Sequence, residues 1–388
     1  MSNQVTRTIR EINEKIKKGK AVVLNAREMA SLVRRKGKVK AAGEVDVVTT
    51  GTFSPMCSSG LLFNIGQTPP TIKASRVWLN NVPAYGGLAA VDAYLGATEP
   101  VEDDPLNKVY PGKFKYGGAH VIEDLVRGRS VHLLATGYGT DCYPRTKLEK
   151  KITLQEMRNA ILLNPRNGYQ NYNCAVNVTS KTIHTYMGPL KSNLGNANYA
   201  TSGELSPLFN DPYFRTIGVG TRVFLGGGTG YVTGAGTQHN PKPQRNERGL
   251  PVQPAGTLMV QGDLKGMDGY FLRGVSMLGY GVSLAVGLGI PIPILDEEMA
   301  WFTGVGDEDI QMPVVDYGHD YPNGIGNVLK LATFDELQSG RIDINGRSVP
   351  TVPVTSYKIS LEVADRLKQW IQKGEFLLTE PQAPIPSA

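Results

Sequence analysis

Three cysteines in 388 residues are too few for a disulfide framework, and the odd number leaves at least one thiol unpaired. Five histidines, at 120, 132, 184, 239 and 319, never fall at metal-ligand spacing with one another or with a cysteine, which argues against a zinc site. No C-x-x-C occurs, which argues against a ferredoxin-type cluster in this chain. Neither nucleotide fingerprint is met: G-x-x-x-x-G-K-[ST] is absent, and GVGTRVF lacks the third glycine of G-x-G-x-x-G. The most apolar run, 284–295, is too short to span a bilayer and holds two prolines. The first twenty residues lack the apolar core of a signal peptide. The chain therefore reads as soluble and cytoplasmic, in a reducing compartment, with no membrane partner.

Charged residues are only 20%, against 45 glycines and 25 prolines, so turns and close backbone approaches are many and long solvated helices few. The net charge is +6. Basic residues cluster at RRKGKVK (34–40) and RTKLEKK (145–151), without any nucleic-acid motif. These read as solvated helix ends rather than a nucleic-acid surface. The positive field would attract a small anionic substrate or an acidic protein.

Two of the cysteines share one setting. Cys57 follows the apolar run EVDVVTTG and sits in GTFSPMCSSG; Cys142 follows SVHLLATG and sits in TGYGTDCYPR. Each is delivered from the end of a strand into a loop of Gly, Ser, Thr and Pro. Cys174, in NYNCAVNV, opens an apolar stretch instead and reads as packing, because a free cysteine behaves as a small hydrophobe. The same bland reading stands beside the other two, but a pair of loop thiols suggests redox or sulfur chemistry, with the fold bringing them together. Arg145, three residues after Cys142, would favour a thiolate or hold a substrate carboxylate; Asp141 is a turn residue or a partner of Arg145. The Gly-rich stretch 216–241 either makes tight turns between strands or cradles an anion, with Gly227, Gly228 and Thr229 as candidate substrate contacts. His239 at its end is the candidate proton carrier.

Periodicity and caps predict an α/β fold. Residues 1–165 read as alternating helix and strand, hence a mostly parallel sheet flanked by helices. Helices are expected around Ile9, Ile12 and Ile16, after the Asn25/Glu28 capping box, from Gly87 to Leu95, over 119–129, and from the Thr153/Glu156 cap to Asn164. A Gly-rich, β-containing second half packs on the first. Ser356 caps the last helix, over 356–373, and 376–388 reads as a flexible tail or an arm lying across a neighbouring molecule. Residues 1–375 are taken as a single unit, with possible lobes 1–165 and 166–375.

GTFSPMCSSG, NNVPAYGG (80–87), TGYGTDCYPR and GGGTGYVTGAGTQHNP together resemble the homocysteine-biosynthesis, sulfur-incorporation family, over about residues 10–375. The resemblance implies an L-aspartate semialdehyde sulfurtransferase activity, with two functional cysteines that map onto Cys57 and Cys142. It implies aspartate semialdehyde and a sulfide or persulfide donor as small-molecule partners. It also implies a ferredoxin-like iron–sulfur protein as electron source, with no cofactor bound in this chain. Archaeal members often carry a CBS-domain pair after this region; none is expected within these residues, so nucleotide regulation of that type is not implied. On this reading Cys142 carries the persulfide or attacks the substrate, Cys57 resolves it, Arg145 and the Gly-rich loop hold the carboxylate, and His239 moves protons. A persulfide carrier without its own amino-acid substrate and a Cys-nucleophile acyl or CoA transferase are the alternatives. A homo-oligomer is possible.

Overall fold

The structure, a computed structural model, describes residues 5–66, 69–170, 173–319, 321 and 326–386. It is a mixed α/β protein in which helices flank large sheets. Among the described residues the largest sheet has 13 strands, and every pairing in it is antiparallel. It draws strands from both sides of residue 165: Ala160–Asn167 lies between Gly60–Asn64 and Leu258–Asp263.

The expected mostly parallel sheet in the first half is thus corrected. Parallel strands need a crossover of a dozen or more residues, whereas most strands here are joined by short turns. Between Ala74–Leu79 and Val82–Tyr85 the chain reverses through Asn80 and Asn81, both left-handed at φ 50° and 62°, the two-residue turn that suits the twist of a hairpin. Among the described residues, parallel pairing is confined to Val23–Asn25 with Val47–Thr49, and to two pairs in a six-stranded sheet built on Cys174–Val176 and Ala197–Tyr199.

Two expected helices are strands. Residues 87–91 are irregular and Asp92–Gly96 pairs with Gly60–Asn64, burying Ala93 and Leu95. The Thr153/Glu156 capping box does form, but it caps one 3-10 turn, Leu154–Glu156, before Ala160–Asn167 enters the sheet. In both places ladders on neighbouring strands outweigh the weaker helical preference. The other helices form as expected. Ile9–Lys17 buries Ile9, Ile12 and Ile16; Ala26–Lys36 follows the Asn25/Glu28 box; Gly118–Val126 occupies the 119–129 segment.

The last helix, Tyr357–Gln372, is capped by Ser356 and buries Val363, Ala364, Leu367 and Ile371. Its Ser360 Oγ accepts the Phe53 N–H at 2.9 Å, so the helix pins the strand Thr52–Pro55 that leads to Cys57. The approach needs Gly51, where a Cβ would lie 2.1 Å from the Ser360 carbonyl oxygen. Gly51→Ala is expected to cost about 3 kcal/mol by forcing this helix off the sheet, read as a lowered Tm; an unchanged Tm would refute the packing argument. Residues 376–386, expected as a tail, lie along this same chain: Phe376 and Ile385 are buried and Ala383–Pro384 pairs with Gly218–Val219. Residues 387–388 lie outside the described residues. No described helix is long and apolar enough to cross a membrane.

Candidate functional site

Cys57 is placed by the ladder that precedes it. Thr52–Pro55 runs antiparallel to Gly281–Gly289 with Pro55 opposite Ala285. Continuing that register sets Cys57 opposite Ser283, and the side chains meet. Ser283 Oγ donates to Cys57 Sγ at 3.4 Å, and Tyr280 Oη donates to it at 3.8 Å. Met56 N donates to the Leu284 oxygen at 2.7 Å, Ser59 N closes a turn on the Met56 oxygen at 3.1 Å, and Gly60–Asn64 then begins. Buried Asn164 donates to Ser59 Oγ at 3.2 Å while its own oxygen accepts the Arg166 N–H at 3.1 Å. One amide thus ties the Cys57 turn to the backbone of Arg166.

The half-buried Cys57 lines a cavity of about 310 Å³, and Arg166 is the only charged residue among the described residues lining it. Its guanidinium lies 5.2 Å from the centre of the Tyr169 ring and donates to Tyr169 Oη at 3.2 Å and to Gln238 Oε1. Burial pushes the Tyr169 hydroxyl up, against the pull of Arg166. Elsewhere on the wall Tyr186 Oη is hydrogen-bonded to Tyr317 and Tyr321, each at 2.7 Å, and the rings of Tyr317 and Tyr321 stack at 3.8 Å. The cavity therefore offers a thiol, one cation and several hydroxyls behind an aromatic wall. That set suits a small carboxylate whose reacting carbon must meet sulfur.

Cys142 sits elsewhere. It is exposed at the tip of the hairpin joining Val131–Gly137 to Lys147–Ile152, where Thr140 and Tyr143 close the turn by reciprocal backbone bonds of 2.9 and 3.1 Å. Thr140 Oγ1 lies 3.7 Å from its sulfur, and Tyr138 nearby is 86% exposed. The two thiols expected to share a pocket do not. The rows of the sheet run Gly60–Gly96 and Trp78–Leu134, then Ala74–Gly137. Cys57 precedes Gly60 at one end of these strands, and Cys142 follows Gly137 at the other. Four strand steps also separate Gly60–Asn64 from Val131–Gly137, roughly 19 Å across the sheet. Asp141 and Arg145 stay with Cys142; the backbone N–H of Arg145 donates to the Thr71 oxygen at 3.3 Å.

The other expected site residues are structural in their contacts. Gly226 and Gly227, left-handed at φ 58° and 97°, turn the hairpin between Arg222–Leu225 and Gly228–Ala235. A Cβ on Gly228 would lie 2.4 Å from the Gly266 oxygen, so these glycines admit a neighbouring backbone rather than a ligand, and Thr229 Oγ1 accepts from Arg222 at 3.4 Å. His239 is held by the main chain. Its Nδ1 accepts from Thr257 N at 3.0 Å, which leaves Nε2 to donate to the Pro386 oxygen at 2.7 Å. Its neighbour Gln238, not His239, lines the Cys57 cavity. Cys174 is fully buried, and burial pushes its thiol up to about 12, which suits packing.

Arg166, Tyr186, Tyr280, Ser283 and Tyr321 were not singled out from the sequence. Ser283 did leave a trace there, as the one polar side chain in the run VSLAVGLG. The others carry no local pattern, because the cavity is assembled from segments far apart in the chain.

One strongly perturbed carboxyl lies away from this cavity. Burial, with Glu204 beside it, pushes Asp307 up to about 7, while its Oδ1 accepts the Glu204 N–H at 2.8 Å. Its folded value is raised, so its stabilising effect is present at low pH and is lost as pH rises through about 7. The contribution of Asp307 to the wild-type Tm is expected to fall between about pH 4 and 7 and to level off above that, and Asp307→Asn to flatten that fall. Parallel Tm–pH curves for the two proteins would refute it.

Residues 21–378 match the family described as homocysteine biosynthesis enzyme, sulfur-incorporation. An L-aspartate semialdehyde sulfurtransferase of Methanocaldococcus jannaschii is 50% identical over 97% of this chain and 72% of its own length. One of Methanosarcina acetivorans is 47% identical over 97% of this chain and 71% of its own. No solved structure matches. With that match running through both cysteine loops and the strands that build the cavity, the chain belongs to the homocysteine-biosynthesis, sulfur-incorporation family.

Proposed function

We propose that this protein is a sulfurtransferase that incorporates sulfur into L-aspartate semialdehyde to form homocysteine, with Cys57 as the sulfur that meets the substrate. One observation carries the reading: Cys57 Sγ lines a small cavity in which Arg166 is the one charge among the described residues. A bare persulfide carrier has no use for a cation in the cavity that holds its thiol, whereas an amino-acid aldehyde brings a carboxylate for it. Arg166 takes that carboxylate and turns the aldehyde carbon toward Cys57.

A persulfide on Cys57 adds its outer sulfur to the aldehyde carbon, and the carbonyl oxygen takes a proton to give a hydroxyl. Two electrons and two protons then cleave the S–S bond, returning the Cys57 thiol and a thiohemiacetal. Loss of water gives a thioaldehyde, and two further electrons and protons give the thiol of homocysteine. If sulfide enters directly, the first pair is not needed. Cys142, exposed on its hairpin, is assigned to exchange with proteins outside: it accepts sulfur or electrons that the recessed Cys57 does not meet. The electrons come from a ferredoxin-like iron–sulfur protein, drawn by the net charge of +6.

The test is a multiple-turnover assay without dithiol, with sulfide, aspartate semialdehyde, and the iron–sulfur protein present or absent. Homocysteine that accumulates only with the reduced partner supports the scheme. Sustained formation with every reductant excluded would refute the electron source, and no homocysteine under any condition would refute the activity.

A further inference from the structure

We propose that Ser283 and Tyr280 form a hydroxyl cradle that holds the Cys57 sulfur as a reactive thiolate, and that Ser283 is its principal donor. The inference deepens the proposed function and rests on it for the role of Cys57. Its geometry stands independently. Ser283 is 0% exposed, in the middle of a strand whose neighbours Val282, Leu284, Ala285 and Val286 are all buried. A lone hydroxyl among such neighbours must find a partner. It finds the sulfur, because the ladder register of Thr52–Pro55 with Gly281–Gly289 sets residues 57 and 283 opposite one another. Tyr280, 41% exposed, closes on the same atom from the rim. Sulfur is a poor acceptor as a thiol and a good one as a thiolate, so two aimed O–H groups favour the ionised form. On ionisation the S–H bond breaks, the proton leaves to solvent, and the electron pair on sulfur is shared by the two hydroxyls.

No cationic side chain is hydrogen-bonded to this sulfur among the described residues. The other titratable groups lining the cavity are Arg166, Tyr169, Tyr186, Tyr280 and Tyr321. Side chains of these types ordinarily keep their charge state between pH 7 and 9, so a pH-dependent change in that window reports on the thiol. The cradle is also suited to a persulfide, whose terminal sulfur would leave the inner atom within reach of Ser283.

The experiment is timed alkylation of the full-length protein by iodoacetamide from pH 7 to 10, with Cys57 and Cys142 peptides quantified separately by mass spectrometry. Losing a hydrogen bond to a charged acceptor lowers the thiolate fraction about tenfold or more. The more basic thiolate that remains is intrinsically faster, which returns part of the loss. Ser283→Ala is therefore expected to slow Cys57 alkylation about threefold to tenfold at pH 7, with the difference narrowing toward pH 10. Tyr280→Phe should slow it less, about twofold, and Cys142 should be unchanged in both. A Cys57 rate unaltered in Ser283→Ala, or slowed equally at every pH as steric change would do, overturns the proposal. If Ser283→Ala does not fold, the half-exposed Tyr280→Phe decides it by the same reading. The readout needs no turnover, so it separates from the proposed function: loss of the cradle effect with activity dependent on Cys57 refutes only the cradle.

Discussion

Cys57→Ala is expected to abolish homocysteine formation, by at least about a thousandfold, while leaving the fold intact. The sulfur is the only group of residue 57 that reaches Ser283 and Tyr280, and its loss removes the atom proposed to meet the substrate. Little packing is lost, since Cys57 is only half-buried. Cys174→Ala makes the contrast. That side chain is fully buried and its thiol is held un-ionised by burial, so the variant should keep its activity and lose some stability. Cys142→Ala should stop multiple turnover but permit one round from protein already carrying sulfur on Cys57, because its hairpin lies at the other end of the strands. The measurement is homocysteine per active site, in single and multiple turnover, beside the melting curve of each variant. Cys57→Ala active to within tenfold of wild type would remove the cavity from the mechanism; equal loss in the Cys174 variant would show that the thiols had been assigned wrongly.

Arg166→Gln is expected to lower kcat/KM for aspartate semialdehyde about a hundredfold or more, chiefly through KM. A planar guanidinium receives a carboxylate through two parallel hydrogen bonds, and no other described residue lining the cavity carries a charge. Arg166→Lys restores the charge but not the fork, so an intermediate value is expected. Arg166 also touches Tyr169 and Gln238, and removing it disturbs those contacts. Sulfur loading of Cys57, followed by intact mass after treatment with a polysulfide, which gives up one sulfur atom and leaves as the shorter polysulfide, separates the two effects. Loading should survive Arg166→Gln while substrate binding does not. A kcat/KM within threefold of wild type would exclude Arg166 as the carboxylate partner.

Local signals in the sequence were read correctly where the structure uses them locally. The Asn25/Glu28 and Thr153/Glu156 boxes form, Ser356 starts the last helix, and Cys57 and Cys142 each leave a strand for a loop while Cys174 stays in one. These depend on a few neighbouring atoms, so a few neighbouring residues suffice to specify them. The reading failed where a partner strand intervened. Residues 92–96 and 160–167 have a composition that tolerates helix, and pairing on neighbouring strands decided for strand. The parallel sheet was inferred from alternation alone, and alternation does not record which strands become neighbours.

The sequence by itself determined which thiols lie in loops and which is packed, because the residues beside each cysteine set whether it lies in a loop or a ladder. Family membership was likewise legible there, since long motifs around both loops carry it. Only the tertiary structure decided what each thiol faces. Cys57 gained Ser283 through a ladder between residues 226 positions apart, and Arg166 through an amide 105 positions from Ser59. Arg145, three residues from Cys142, stayed with Cys142 on the outer hairpin, and His239 was taken up by the backbone of Thr257 and Pro386. Proximity in sequence is limited by the reach of the chain, whereas a cavity forms where distant strands happen to end side by side. The set of side chains around Cys57 had to wait for the register of the sheet.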